Sequence, residues 1–82
     1  MGRTGRKESF AVLFGDRVRT HRMAHDWTQE RLAEVTGLHF TYVSSVERGE
    51  RNVTLRNILR LAEALEIDPG ELVSGIRTES PA

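Results

Sequence analysis

The chain has 82 residues, enough for one small domain whose single core is marginal alone and gains from pairing with a second copy. It has no cysteine, which excludes disulfides, a thiol nucleophile and a cysteine zinc site, and which fits a reducing, cytoplasmic setting. The formal net charge is zero, but residues 1–25, 26–47, 48–60 and 61–82 carry +4, −3, +3 and −4, so one face can still be positive.

Residues 1–8 are rich in Gly and Arg without periodicity and read as a flexible leader. No signal-peptide apolar core occurs there, and the longest apolar stretch, residues 10–14, is far too short to span a membrane. Ser9 is placed to cap a first helix carrying Phe10, Leu13, Phe14 and Val18 at three- and four-residue spacings, ending near residues 23–26. Thr28 caps a second helix, with Arg31 where a capping box would have Glu; Leu32, Ala33 and Val35 supply apolar positions and Gly37 suits a left-handed C-terminal residue. A third helix spans about residues 39–48, with Tyr42, Val43 and Val46 as its inner seam, and Gly49 ends it. Thr54 caps a fourth, whose Leu55, Ile58, Leu61, Ala62 and Leu65 form an apolar stripe. Asp68-Pro69-Gly70-Glu71 combines a cap, a proline at the first helical position and a Glu behind it. This predicts a short fifth helix through Leu72 and Val73 toward Ile76. Residues 77–82 read as a frayed tail, which leaves residues 9–76 as the folded domain. No segment alternates with period two over a strand length, so the expected fold is all-α with five helices.

The second and third helices are short and meet through Thr36-Gly37-Leu38, a turn too tight for an antiparallel hairpin. That is the geometry of helix-turn-helix DNA-binding units. The stretch WTQERLAEVTGLHFTYVSSVERGERNVTL resembles the lambda-repressor-like (XRE-type) helix-turn-helix regulators. The resemblance covers about residues 10–74. It rests on Thr-Gln-Glu-x-Leu-Ala, the turn Gly, Val-Glu-Arg-Gly and LRNILRLAEALEIDPGEL, in that order and spacing. Within that family, TYVSSVERGERNVTL is most similar to the short controller proteins of restriction–modification systems.

The resemblance implies a compact five-helix DNA-binding domain whose third helix lies in the major groove. The first turn of the second helix offers free backbone N–H groups to phosphate; Thr28 is both its cap and a candidate contact. The family's match to Gln29 touches phosphate and braces the recognition helix. On the third helix, His39, Phe40, Thr41, Ser44 and Ser45 lie opposite Val43 and Val46. Their hydroxyls can donate to or accept from base edges. Phe40 departs from related regulators, which more often carry a polar or basic residue there. Two placements are open to it, against thymine methyls or sugar, and folded onto Leu38. Tyr42 reaches DNA in controller-like relatives, although its spacing also suits packing. Arg48, Arg51 and Asn52 follow the helix where the chain runs beside phosphate. Arg3, Arg6 and Lys7 could form a minor-groove arm. In the family, the positions of Arg22 and Glu47 form a partly buried ion pair, so both belong to architecture rather than DNA contact.

His21 and His25 share a helical face at a metal-binding spacing, but no third ligand joins them, and neither a cofactor nor a metal is expected. No nucleophile triad, paired carboxylates or phosphate loop can be assembled, so the chain reads as a non-enzyme without a small-molecule ligand. The expected partners are double-stranded DNA and a second copy, joined through Leu65, Ile67, Leu72, Val73 and Ile76, with no role at a membrane. The expected function is a sequence-specific transcriptional regulator binding an inverted-repeat operator as a homodimer. The alternative is a DNA-binding antitoxin or other protein-interaction module of a two-gene system.

Overall fold

A computed structural model describes residues 9–78; the leader with Arg3, Arg6 and Lys7, and residues 79–82 of the tail, lie outside the described residues. Five helices follow in order: α1 Ser9–Ala24, α2 Gln29–Thr36, α3 Phe40–Glu47, α4 Leu55–Leu65 and α5 Gly70–Val73. The described residues contain no strand. The architecture is all-α, as the periodicity requires.

Local signals account for the helix ends. Thr28 and Thr54 have extended backbones and accept from the amides of Arg31 and Asn57 at 3.0 and 3.2 Å, satisfying N–H groups that a helix start leaves open. Gly37 closes α2 at φ 76°, a left-handed conformation that costs a glycine little, and its amide bonds to the Ala33 carbonyl at 2.9 Å. The Thr36 hydroxyl completes the α2–α3 turn, donating to the Leu32 carbonyl at 2.7 Å and accepting from the Leu38 amide at 3.2 Å. At α5, the Asp68 carboxylate accepts from the Gly70 amide at 2.7 Å, and the helix stops at Val73, leaving Ile76 beyond it but packed on the core. Ser9 is the first residue of α1 rather than a cap preceding it, and α3 is shorter than residues 39–48, with His39 as its cap position.

The core joins Phe14 and Val18 of α1, Leu32 and Ala33 of α2, Val43 and Val46 of α3, Leu61, Ala62 and Leu65 of α4, and Leu72 of α5. Each fully buried Leu or Val contributes roughly 1.5–3 kcal/mol relative to exposure. α3 is seated against both α1 and α2, and α4 and α5 close the other side. Gly15 permits the first of these packings. A Cβ built there would run into the Val46 carbonyl oxygen and lie 3.0 Å from that of Glu47, so α1 backs directly onto the last turn of α3.

Two expectations are corrected by burial. The period of α4 puts Leu55 on its inner stripe, yet this residue is 70% exposed. Burial tapers along that stripe, from fully buried Leu61 through half-buried Ile58 to Leu55, because the core does not extend to the start of the helix. Conversely, Leu65 and Leu72, assigned to an intersubunit surface, are 1% and 0% exposed in the single chain. Five helices suffice to cover them, so neither can serve a second copy without unfolding.

Candidate nucleic-acid interface

The posture of α3 is fixed by one carboxylate. Glu47 accepts from Arg22 Nε at 2.7 Å, from Arg22 Nη2 at 2.9 Å and from Gln29 Nε2 at 3.0 Å. Arg22 Nη1 donates in addition to the Trp27 carbonyl at 2.7 Å, just ahead of the α2 cap. The Glu47 side chain is only 3% exposed. One ion pair therefore ties α1, the α1–α2 turn, α2 and α3 together. Its geometry is bidentate, the strong form of an arginine–carboxylate contact. The hydrogen bond to Glu47 holds the Arg22 guanidinium above its ordinary pKa despite partial burial, so its charge persists throughout the working pH range.

With α3 held this way, His39, Phe40 and Thr41 are exposed at its start, and Phe40, at 45%, is not folded into the core. Ser44 is half-buried one turn further on. Ser45 departs from expectation. Its helical position is outward, yet it is 5% exposed, because Gly49 adopts φ 79° and turns the chain back over it. The Glu50 amide bonds to the Ser45 carbonyl at 3.0 Å. The Ser45 hydroxyl donates to the Tyr42 carbonyl at 2.7 Å and accepts from Arg51 Nε at 2.9 Å. Ser45 is an internal tie, not an outward reader.

Tyr42 packs partly against the core, and its phenol accepts from Asn57 Nδ2 at 3.1 Å. The Arg51 guanidinium lies over its ring, 5.4 Å from the centroid, a cation–π arrangement. Arg48 is exposed at the C-terminus of α3. Its Nη1 donates to Ser44 Oγ at 2.5 Å and its Nη2 to the Glu50 carboxylate at 3.0 Å. The hydrogen bond it donates to Glu50 raises the Arg48 pKa. Asn52 is exposed beyond this turn. At the start of α2, the Thr28 cap satisfies the Arg31 amide and leaves the first amides of the helix facing outward next to Gln29.

Sequence reasoning passed over three participants. Asn57 is reached only through the fold, fifteen residues from the Tyr42 hydroxyl it engages. Glu50, an acidic residue in a basic stretch, was readable as a candidate partner for its arginines. A lone glycine inside the α1 pattern was the available signal for the close approach at Gly15. The histidines are otherwise occupied: His25 Nε2 lies 2.8 Å from the Leu65 carbonyl, and His21 Nε2 lies 3.6 Å from Glu71. No cluster of three metal-ligating side chains occurs among the described residues.

Exposed large apolar side chains occur on every helix: Val12, Leu13 and Met23 on α1, Val35 on α2, Phe40 on α3, Leu55 and Leu59 on α4, and Val73 on α5. Leu55 and Leu59 are exposed one turn apart beside Arg56, Arg60 and Glu63. Val73 and Ile76 line a cleft of about 130 Å³ with Phe10, Val53 and Ile58. Ile67 is half-buried. No helix among the described residues is long and apolar enough to cross a membrane.

The helix-turn-helix family pattern matches residues 18–72. Control protein C.SmaI of Serratia marcescens is 44% identical over 69 residues, spanning 82% of this chain and 82% of that relative. The crystal structure of the restriction–modification controller protein C.AhdI from Aeromonas hydrophila superposes with a TM-score of 0.74 at 55% identity, over 76% of this chain and 94% of that one. The controller protein C.Esp1396I, crystallised as a tetramer with its natural 35-base-pair operator, gives a TM-score of 0.71 at 27% identity, over 76% and 82% of the two chains. The chain belongs to the XRE-type, lambda-repressor-like helix-turn-helix family, with restriction–modification controller proteins as its relatives.

Proposed function

We propose that this protein is a sequence-specific DNA-binding transcriptional regulator that acts as a homodimer on an inverted-repeat operator. The observation that carries this reading is the three-way tie at Glu47. It sets α3 rigidly against the open start of α2, so phosphate contact by α2 and base contact by α3 come from one preorganised unit. Thr28 and Gln29 then face phosphate, His39, Phe40, Thr41 and Ser44 face base edges, and Arg48, Arg51, Asn52 and the Tyr42 phenol follow the adjoining backbone. Residues 48–60, with net charge +3, supply the attraction, and the acidic residues 61–82 suit a face turned away.

The dimer contact belongs to exposed apolar residues of α4 and α5, Leu55, Leu59 and Val73, with the half-buried Ile58 and Ile76. A twofold axis there places two recognition helices in successive major grooves, about 34–36 Å apart. C.Esp1396I occupies its operator as a tetramer, which supports an operator of two such repeats holding four chains. Selection from a random duplex library, followed by footprinting and sedimentation of the complex, tests the reading. An inverted repeat protected by pairs of chains is expected. A monomer protecting one asymmetric half-site overturns it.

A further inference from the structure

Two adjacent serines on α3 have hydroxyls in opposite states. Ser45 has given its proton to the Tyr42 carbonyl and accepts from Arg51, so it has no proton left for another acceptor. Ser44 accepts from Arg48 Nη1 at 2.5 Å, and its own proton has no acceptor among the described residues. A hydroxyl has one proton to give and two lone pairs to offer. Arg48 fills one lone pair and sets a full positive charge beside the oxygen, repelling any second donor that approaches. Glu50 anchors the other side of the guanidinium at 3.0 Å, which keeps Arg48 lying back along α3 toward Ser44.

We infer that Arg48 fixes the hydrogen-bond polarity of Ser44, making it a donor-only reader that selects a base acceptor in the major groove. Resting on the DNA-binding reading above, this names a specificity rule within it. The acceptors available are guanine N7 and O6, adenine N7 and thymine O4, whereas cytosine presents only its N4 amino donor. The base edge at Ser44 is therefore guanine or thymine before cytosine. Adenine, with an acceptor and a donor side by side, falls between. Arg48 is a positioning residue here: it acts on the base through Ser44. Phosphate contact by Arg48 and base contact by Ser44 are consequently not independent functions.

The test is a double-mutant cycle read as base preference. Site selection with wild type and with Ser44→Ala identifies the base pair whose preference depends on Ser44. Binding titrations with all four bases at that position, on the dimeric full chain, then compare wild type, Arg48→Met, Ser44→Ala and the double variant. Wild type is expected to disfavour cytosine by about three- to tenfold, the weight of one hydrogen bond and the donor it would leave opposed. Arg48→Met frees the hydroxyl to donate or accept, so that discrimination should fall to within about twofold while other positions keep theirs. In the Ser44→Ala background the same change should lower affinity uniformly and shift no preference. Arg48 is exposed, so the variants should melt like wild type. A wild-type preference for cytosine at that edge, discrimination unchanged by Arg48→Met, or an equal shift with and without Ser44 would each overturn the inference while leaving operator binding intact. Failure of wild type to select any sequence would instead overturn the DNA-binding reading, and this rule with it.

Discussion

Glu47 gathers donors from two other helices, so the consequence of removing its charge is set by what those donors then face. Glu47→Ala leaves the Arg22 guanidinium, itself 12% exposed, without its counter-ion. A buried pair broken on one side costs up to roughly 3–5 kcal/mol. Thermal melting without DNA should show that loss, and a variant that melts like wild type would remove the pair from the architecture. Glu50 sits at the other extreme, exposed in the turn that follows α3. Glu50→Gln removes a negative charge from the proposed phosphate side and releases Arg48 Nη2. Affinity for random duplex should rise, with the logarithmic salt slope steeper by about one unit, as a single added phosphate contact requires. An unchanged slope would show that Glu50 lies away from DNA. At this scale the pairing of Arg22 with Glu47 was legible through the family resemblance, because residues 25 apart carry no local spacing signal of their own. Ser45 shows the limit: its helical position is outward, and only the returning chain beyond Gly49 covers it.

Helix caps and periodicity were legible at the scale of elements, because Thr28, Gly37 and Thr54 act on amides within a few residues of themselves. Less legible was how far each apolar stripe is used. The α4 stripe has the right period through Leu55, but period does not reveal where the facing core ends. The α1–α3 packing is similarly a property of two elements together. In an isolated helix, Gly15→Ala should stabilise by up to about 1 kcal/mol, since glycine is the poorer helix former. Here the new methyl meets the Val46 carbonyl, a backbone group that cannot turn aside. Overpacking of this kind costs about 1–3 kcal/mol, so Gly15→Ala should lower the melting temperature and weaken operator binding through a displaced α3. A stabilised variant with normal binding would show that α1 and α3 are further apart than described.

For the whole molecule, burial separates two kinds of leucine that look alike in the sequence. Leu72 is enclosed within one chain and Leu59 is not. Leu72→Glu places a carboxylate in the core and should unfold the domain, whereas Leu59→Glu should leave the melting transition in place and produce monomers with weak operator affinity. Sedimentation and melting of both variants distinguish the outcomes; a dimeric Leu59→Glu protein would move the contact elsewhere. The zero net charge is likewise uninformative until the fold sets Arg48 and Arg51 against the serines of α3.

Trp27 is the only tryptophan in the chain, and its ring stacks on His25 with centroids 4.4 Å apart. Its carbonyl holds Arg22, and the next residue caps α2. The protein thus carries its own optical reporter at the junction of the helices that set the recognition surface. Indole emission depends on what surrounds the ring, so brightness should change when the domain unfolds and again when the junction tightens on DNA. Folding and operator capture can both be followed by light from this one side chain, without attaching a dye.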